Sequence, residues 1–96
     1  MRKITEDAIR AFRNGLKFKR NNTEVRVFDD SRQLRLHGSV IAEYNANGEL
    51  WISSAGWQTN TTKERLNGLP NVSIYQTNFQ WFLNGEAWSG GWIRIH

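Results

Sequence analysis

Apolar positions along the chain change period more than once, and each change predicts an element. Ala8, Ile9, Phe12 and Leu16 recur at three- and four-residue spacing, with Arg10, Arg13 and Lys17 on the other flank. That pattern predicts an amphipathic N-terminal helix with a basic outer face. Thr5 is its expected N-cap, Glu6 and Asp7 follow at the positive end of the dipole, and Ile4 is placed to staple onto Ile9. Asn14-Gly15 sets the end near residues 15–18, either in a left-handed cap or after a run on to Phe18.

From Thr23 the period becomes two: Thr23, Val25 and Val27 share one face of a half-buried strand, and Glu24, Arg26 and Phe28 share the other. Asp29-Asp30-Ser31 supplies a turn. Leu34, Leu36, Val40, Ala42 and Tyr44 then keep one parity through His37-Gly38, where the glycine signals a bulge or bend. Asn47-Gly48 predicts a type I′ hairpin returning through Leu50 and Ile52. The stretch "TNTTKERLNGLP", residues 59–70, predicts a short second helix near 61–67. Thr61 is its expected N-cap, Glu64 completes a capping box, Gly68 stops it, Pro70 lies beyond, and Leu66 and Leu69 dock. Val72 with Ile74, and Phe79 to Leu83, predict two antiparallel strands, Asn84-Gly85 a tight turn, and Trp92 to Ile95 a last strand. Hairpin-linked strands punctuated by isolated helices predict an α+β fold in one domain, residues 1–96: a small antiparallel sheet built from hairpins, an N-terminal amphipathic helix and the short helix near 61–67.

Length limits this chain to one modest core. No apolar run approaches the roughly 18 residues that cross a bilayer, and no apolar segment follows the basic start Met1-Arg2-Lys3-Ile4. The expectation is therefore no membrane partner, no secretory signal and a cytoplasmic address. With no cysteine the fold holds by packing alone, and the glycosylation triplets at Asn21, Asn60 and Asn71 have no meaning without secretion. The net charge of +4 is uneven: residues 1–35 hold 10 of the 13 Lys and Arg against five acids, whereas the remainder sets three against four. Such asymmetry points to an anionic partner, nucleic acid foremost, with a merely solubilising basic face as the plainer alternative.

Catalytic chemistry finds little support. The only histidines, His37 and His96, have no partner set by spacing, and Asp29-Asp30 is better explained as a solvated turn than as a metal pair. Ser89-Gly90-Gly91 lacks the lysine and the following helix of a phosphate loop. The expectation is a protein that is not an enzyme and uses no metal or cofactor; the residual route to catalysis is convergence of His37 with Glu43 or Glu49.

What remains is basic side chains interleaved with aromatic ones, because cations neutralise phosphates and rings stack on unpaired bases. Lys17-Phe18-Lys19-Arg20 directly follows the first helix. Candidate phosphate contacts are Arg10, Arg13, Lys17, Lys19 and Arg20; candidate stacking or partner residues are Trp51 and Trp57; Lys63 and Arg65 are candidates for charge displayed by the short helix. Trp51 has the parity opposite to Leu50 and Ile52, which places it on the solvent side of its strand. Trp57 either lids the second helix or projects as an anchor. Trp81 shares a face with Phe79 and Leu83 and belongs to the core, while Trp88 and Trp92 flank a glycine-rich turn as an aromatic clasp. Asn60, Thr61 and Thr62 gather backbone N–H groups at a helix start, either as an anion seat or as a satisfied cap.

The segment "TNTTKERLNGLPNVSI", followed by "WFLNGEAWSGGWIRI", resembles a group of short, functionally uncharacterised proteins encoded by bacteriophages, with the likeness running from Asn22 onward. The resemblance implies an infected bacterial cytoplasm, where small phage products bind host machinery, defence complexes or nucleic acid, and it transfers no functional residue. The expected function is a non-enzymatic phage-type accessory protein binding nucleic acid through its basic N-terminal face. The alternative is a protein-binding inhibitor or modulator of a host or defence complex, of anti-CRISPR-like or host-takeover kind, with an exposed aromatic hot spot.

Overall fold

In the computed structural model, which describes residues 2–96, the first periodic segment forms helix α1 (Lys3–Asn14) and buries Ile4, Thr5, Ala8, Ile9, Ala11 and Phe12. Gly15 takes φ 69° at its end, so of the two endings open to the sequence the left-handed cap is the one formed. The start is different from expectation. Arg2 occupies the N-cap position without a side-chain cap bond, and Thr5 lies inside the helix, fully buried. At the other end the Arg32 guanidinium donates to Phe12 O and, at 3.0 Å, to Arg13 O, which satisfies late carbonyls with a charge suited to the negative end of the dipole.

Strands β1 (Phe18–Arg20), β2 (Thr23–Val27), β3 (Arg32–Leu36), β4 (Ser39–Tyr44) and β5 (Leu50–Ile52) follow as successive antiparallel neighbours. Helix α2 (Asn60–Leu66) comes next, then a separate three-stranded sheet of β6 (Ile74–Thr77), β7 (Gln80–Leu83) and β8 (Glu86–Ala87). The chain returns to the first sheet as β9 (Ile93–Arg94), beside β5. Helix α1 packs across β1, β2 and β3. One buried cluster joins Phe12 of α1, Val25, Leu34, Ile41 and Leu50 of the large sheet, Leu66 of α2 and Trp81 of the small one.

Local departures from the expected parity have clear causes. His37 (φ 52°) and Gly38 (φ 82°) form a two-residue turn, and the β3–β4 ladder then slips, pairing Arg35 with Val40 but Leu34 with Ala42. Ile41 is the extra, bulged residue, buried next to Ala42, and Val40 consequently sits opposite Arg35 on the outer face and not with the core. At Asn47-Gly48 only the glycine has a positive φ, 76°, because Asn45 Oδ1 accepts from the N–H of both Asn47 and Glu49 at 3.0 Å and shapes a longer loop in place of a type I′ turn.

Helix α2 is capped two residues earlier than expected: Thr59 Oγ1 accepts from Thr62 N at 3.2 Å, so Thr61 is not the cap and Glu64 completes no capping box. Glu64 crosses to α1 instead, accepting from Arg2 N at 3.3 Å and from Thr5 Oγ1. Gly68 is needed for room and not for a left-handed stop; a Cβ there would lie 2.8 Å from Ile9 Cγ1 and 3.2 Å from Arg65 O. Arg65 corrects the expectation most sharply. Its side chain is fully buried where α1, α2 and β2 meet, donating to Thr5 Oγ1 at 2.7 Å, Thr23 Oγ1 at 3.0 Å, Asn22 Oδ1 at 3.4 Å and the Glu64 carboxylate. Burial pushes the Arg65 pKa down while Glu64 holds it up. Burial pushes the Glu64 carboxyl up, but the Thr5 hydroxyl, the Arg2 N–H and the Arg65 charge outweigh it and keep the group below its ordinary value.

In the small sheet Trp81 is core, as parity predicted, but its aromatic partner is Trp88, with ring centroids 6.1 Å apart. The expected Trp88–Trp92 clasp does not form: Trp88 Nε1 donates to Gly91 O at 2.9 Å and Trp92 is exposed. Gly90 joins the two sheets, its carbonyl accepting from Ser54 N at 2.8 Å and Ser53 Oγ at 3.3 Å. Among the described residues no helix is long and apolar enough to cross a membrane.

Candidate nucleic-acid interface

Edge strand β1, which periodicity did not announce, separates two groups of cations. On its helix side Asp7 gathers three of them: Arg20 at 2.9 Å, Lys3 at 3.1 Å and Arg10 at 3.3 Å. The hydrogen bond from Arg20, and then that from Lys3, hold the Asp7 carboxyl below the usual range. Arg10 and Arg20, both expected to meet phosphates, are thus engaged with one carboxylate.

On the outer side a groove of about 500 Å³ runs along β1 and β2, with Lys17, Phe18, Lys19, Glu24, Arg26 and Phe28 in its walls. Arg26 pairs with Glu24 at 3.1 Å, whereas Arg13, Lys17 and Lys19 have no carboxylate within 4.0 Å among the described residues. Phe28 is exposed at the end of the β2 row, on the face that alternation assigned to it. The β1–β2 turn abuts the β3–β4 turn, His37 N donating to Asn22 O at 2.8 Å. There Lys19, Asn21, Asn22, His37 and Gly38 border a recess of about 280 Å³. Beyond His37 lies a pocket of about 430 Å³ lined by Leu36, His37 and Ile41 from the hairpin, Trp57 from the loop, and Thr59, Thr61 and Thr62 from the start of α2. Lys19 borders the first two depressions and His37 the last two, so neighbouring depressions share a wall residue.

A family model described as Kyanoviridae Gp96 protein matches residues 1–94. The chain belongs to this bacteriophage family. It is therefore a phage protein, in keeping with the phage resemblance that runs from Asn22 onward. No curated protein and no solved structure matches it.

Apart from Trp57, which lines the pocket beyond His37, the remaining candidates of this phage protein fall elsewhere. Trp57 projects: a turn at Ala55 (φ 55°) and Gly56 (φ 83°), closed by Trp57 N to Ser54 O at 2.9 Å, leaves the indole 59% exposed. Trp51 lies half-buried on the outer face of β5 between Glu43 and Arg94, its Nε1 donating to Glu49 Oε1 at 3.2 Å. With Trp92, Glu43 and Asn45 it borders a separate recess of about 240 Å³. Lys63 is half-buried, its Nζ 5.9 Å from the Trp81 ring centroid and 3.4 Å from Gln76 Oε1, and Arg65 is wholly inside. The start of α2 is a satisfied cap, with Thr59 and Thr62 serving one another. Glu43 pairs with Gln33, four residues of β3 away from His37, a separation of about 13 Å along an extended strand. No group of three or more His, Asp or Glu among the described residues is arranged to hold a metal ion.

A second exposed surface was not foreseen. Tyr75 and Phe82 stack on the outer face of the small sheet, with centroids 5.2 Å apart and planes at 8°. Phe79 stands 94% exposed in the β6–β7 turn, where it and Asn78 both take left-handed φ, 65° and 49°. The signal was present in the sequence: the polar break at Thr77-Asn78 marks the turn itself and carries Phe79 out of the face it was assigned with Trp81.

Proposed function

We propose that this phage protein binds single-stranded nucleic acid, without transforming it, in the cytoplasm of the infected cell. The observation that carries the reading is the succession of three depressions from Phe28 to Trp57, with Lys19 bordering the first two and His37 the last two. Lys17 and Lys19 form no ion pair within 4.0 Å among the described residues, and exposed rings stand at both ends. A single strand offers phosphates to such cations and unpaired π-faces to such rings; a duplex keeps its bases stacked inside. The phosphate contacts on this reading centre on Lys17 and Lys19 at the β1 edge, with Arg10 and Arg20 in reserve around Asp7.

Fluorescence anisotropy with a labelled oligodeoxythymidylate on the order of a dozen nucleotides, against a hairpin duplex of equal length, tests this across a salt series. Affinity for the strand should exceed that for the duplex and fall with salt at a log–log slope of about −1.4 to −2, as two or three phosphate contacts require. The pair Lys17→Glu and Lys19→Glu should weaken binding more than roughly tenfold at low salt and flatten the slope. Asp7→Asn, by releasing Arg10 and Arg20, should tighten it. Absence of binding by the wild type at low salt overturns the proposal.

One observation favours a second reading, a protein-binding modulator of a host or defence complex. Between Leu66 and Ile93 the sole charged side chain is Glu86, and the aromatic face of Tyr75, Phe79 and Phe82 lies in that stretch. Aromatic side chains on a charge-poor surface are the usual anchors of protein interfaces. A lysate protein retained after nuclease treatment, and lost with Tyr75→Ser and Phe79→Ser, supports this reading; capture abolished by nuclease returns the choice to the first.

A further inference from the structure

We infer that the pocket at Trp57 takes one unstacked base of the bound strand, an inference that rests on the single-strand reading and assigns it a specific seat. The pocket's volume, about 430 Å³, lies within the range of small-ligand sites. Its lining contains no Asp, Glu, Lys or Arg. Leu36 and Ile41 supply apolar walls, the Trp57 indole a stacking surface, and hydroxyls and an imidazole a polar rim. A nucleobase has the matching chemistry: flat, uncharged, apolar on its faces and hydrogen-bonding only at its edge. A free nucleotide matches less well, because its phosphate would meet no cation inside.

Three of the polar groups at the rim are available. Thr59 and Thr62 hold each other's hydroxyls at 3.0 Å, and the Thr62 side chain is buried. The Thr61 hydroxyl, the His37 imidazole and the Trp57 indole N–H make no hydrogen bond to another described residue, and they line the same cavity.

Backbone geometry adds a second, independent observation. Ala55 is held at φ 55°, a region non-glycine residues seldom occupy, by Ser53 Oγ accepting from its N–H at 2.9 Å and Ser54 Oγ accepting from Gly56 N at 3.3 Å. The buried serines thereby fix a strained turn that keeps a large apolar ring in the open. His37 connects the pocket to the recess bordered by Lys19, so a strand whose phosphates follow Lys17 and Lys19 reaches Trp57 by turning a single base past the hairpin. Extruding a base costs least from a strand that is already single.

The test uses the full chain and the same oligodeoxythymidylate, beside a fully abasic strand of equal length. Trp57→Ala should weaken binding of the base-bearing strand about tenfold, the usual worth of one base–aromatic stack, and leave the salt slope unchanged, because no phosphate contact is lost. Trp57→Phe should restore most of the affinity. The abasic strand should bind wild type and Trp57→Ala equally. Two results overturn the inference, and they differ in what else they overturn. If Trp57→Ala binds like wild type while Lys17→Glu with Lys19→Glu abolishes binding, the base seat fails and the phosphate path survives. If the wild type binds neither strand, both fail.

Discussion

Arg65→Ala is expected to lower the unfolding free energy by about 3 kcal/mol, and with it the midpoint of thermal unfolding by more than roughly 10 °C. The guanidinium has no solvent exposure and meets α1 through Thr5, β2 through Thr23, the β1–β2 turn through Asn22, and its own helix through Glu64. Truncation leaves three neutral acceptors and a carboxylate short of a partner, which costs more than the pair itself contributes. Arg65→Lys should recover little, since one ammonium cannot reproduce the planar fork that reaches Thr23, Thr5 and Asn22 together. A pH series supplies the second readout. Because the Glu64 carboxyl is depressed in the folded protein, its contribution is present above the ordinary value of 4.5 and is lost as pH falls through the lower folded value. Without Arg65, part of what offsets burial is gone and the Glu64 pKa rises, so acid unfolding of Arg65→Ala should begin at higher pH. Urea denaturation from neutral pH to pH 3 measures both effects; a variant within 1 kcal/mol of wild type would refute the role given to Arg65.

Trp81→Ala is expected to cost about 4 kcal/mol, the range for deleting a large buried aromatic side chain. Its ring is 1% exposed, packs against Trp88 and lies under Lys63, and Trp88 N donates to its carbonyl at 2.9 Å. The side chain fills the space where the small sheet joins the common core, so its loss removes the contact that makes one hydrophobic interior out of two sheets. The near-ultraviolet circular dichroism of the Trp81–Trp88 pair should disappear with it. Trp57→Ala, at an exposed position, should leave stability within about 0.5 kcal/mol, and equal losses at both positions would contradict the burial described.

Alternation made β2 legible down to the outward rank of Glu24, Arg26 and Phe28, and the spacing of Ile9, Phe12 and their neighbours made α1 legible. Those signals are local and depend only on which face is wet. What stayed hidden depended on contacts between distant segments. Thr5 satisfies every local rule for an N-cap, yet Glu64 and Arg65 across the core claim its hydroxyl. The capping-box glutamate was available to α1 only once the two helices met at Gly68, and a buried arginine is invisible to periodicity because its type predicts exposure. The β3–β4 bulge is a counting problem: two turn residues at His37-Gly38 would have moved Tyr44 off the core face unless one residue were looped out. Of the candidate site residues, Lys17, Lys19 and Trp57 border a succession of neighbouring depressions. Arg10 and Arg20 meet at Asp7, Trp51 stands apart with Trp92, and Arg65 is interior. Their grouping follows from the way two hairpin turns abut, which no spacing along the chain encodes.

The pairing of β5 with β9 also orders events during folding. Strands β1 to β5 each find their partner next door along the chain, whereas Ile52 meets Ile93 only after roughly forty residues have been gathered in. Closing that excursion carries an entropic cost that hairpin closure avoids, so the large sheet grows from its N-terminal side and is completed last at β9. Its register of two residues, both exposed on β9, is the shortest ladder of that sheet. The excursion it closes carries Trp57, α2 and the whole small sheet, so Trp57 and the aromatic face of Tyr75, Phe79 and Phe82 reach their final places beside the large sheet only when β9 docks.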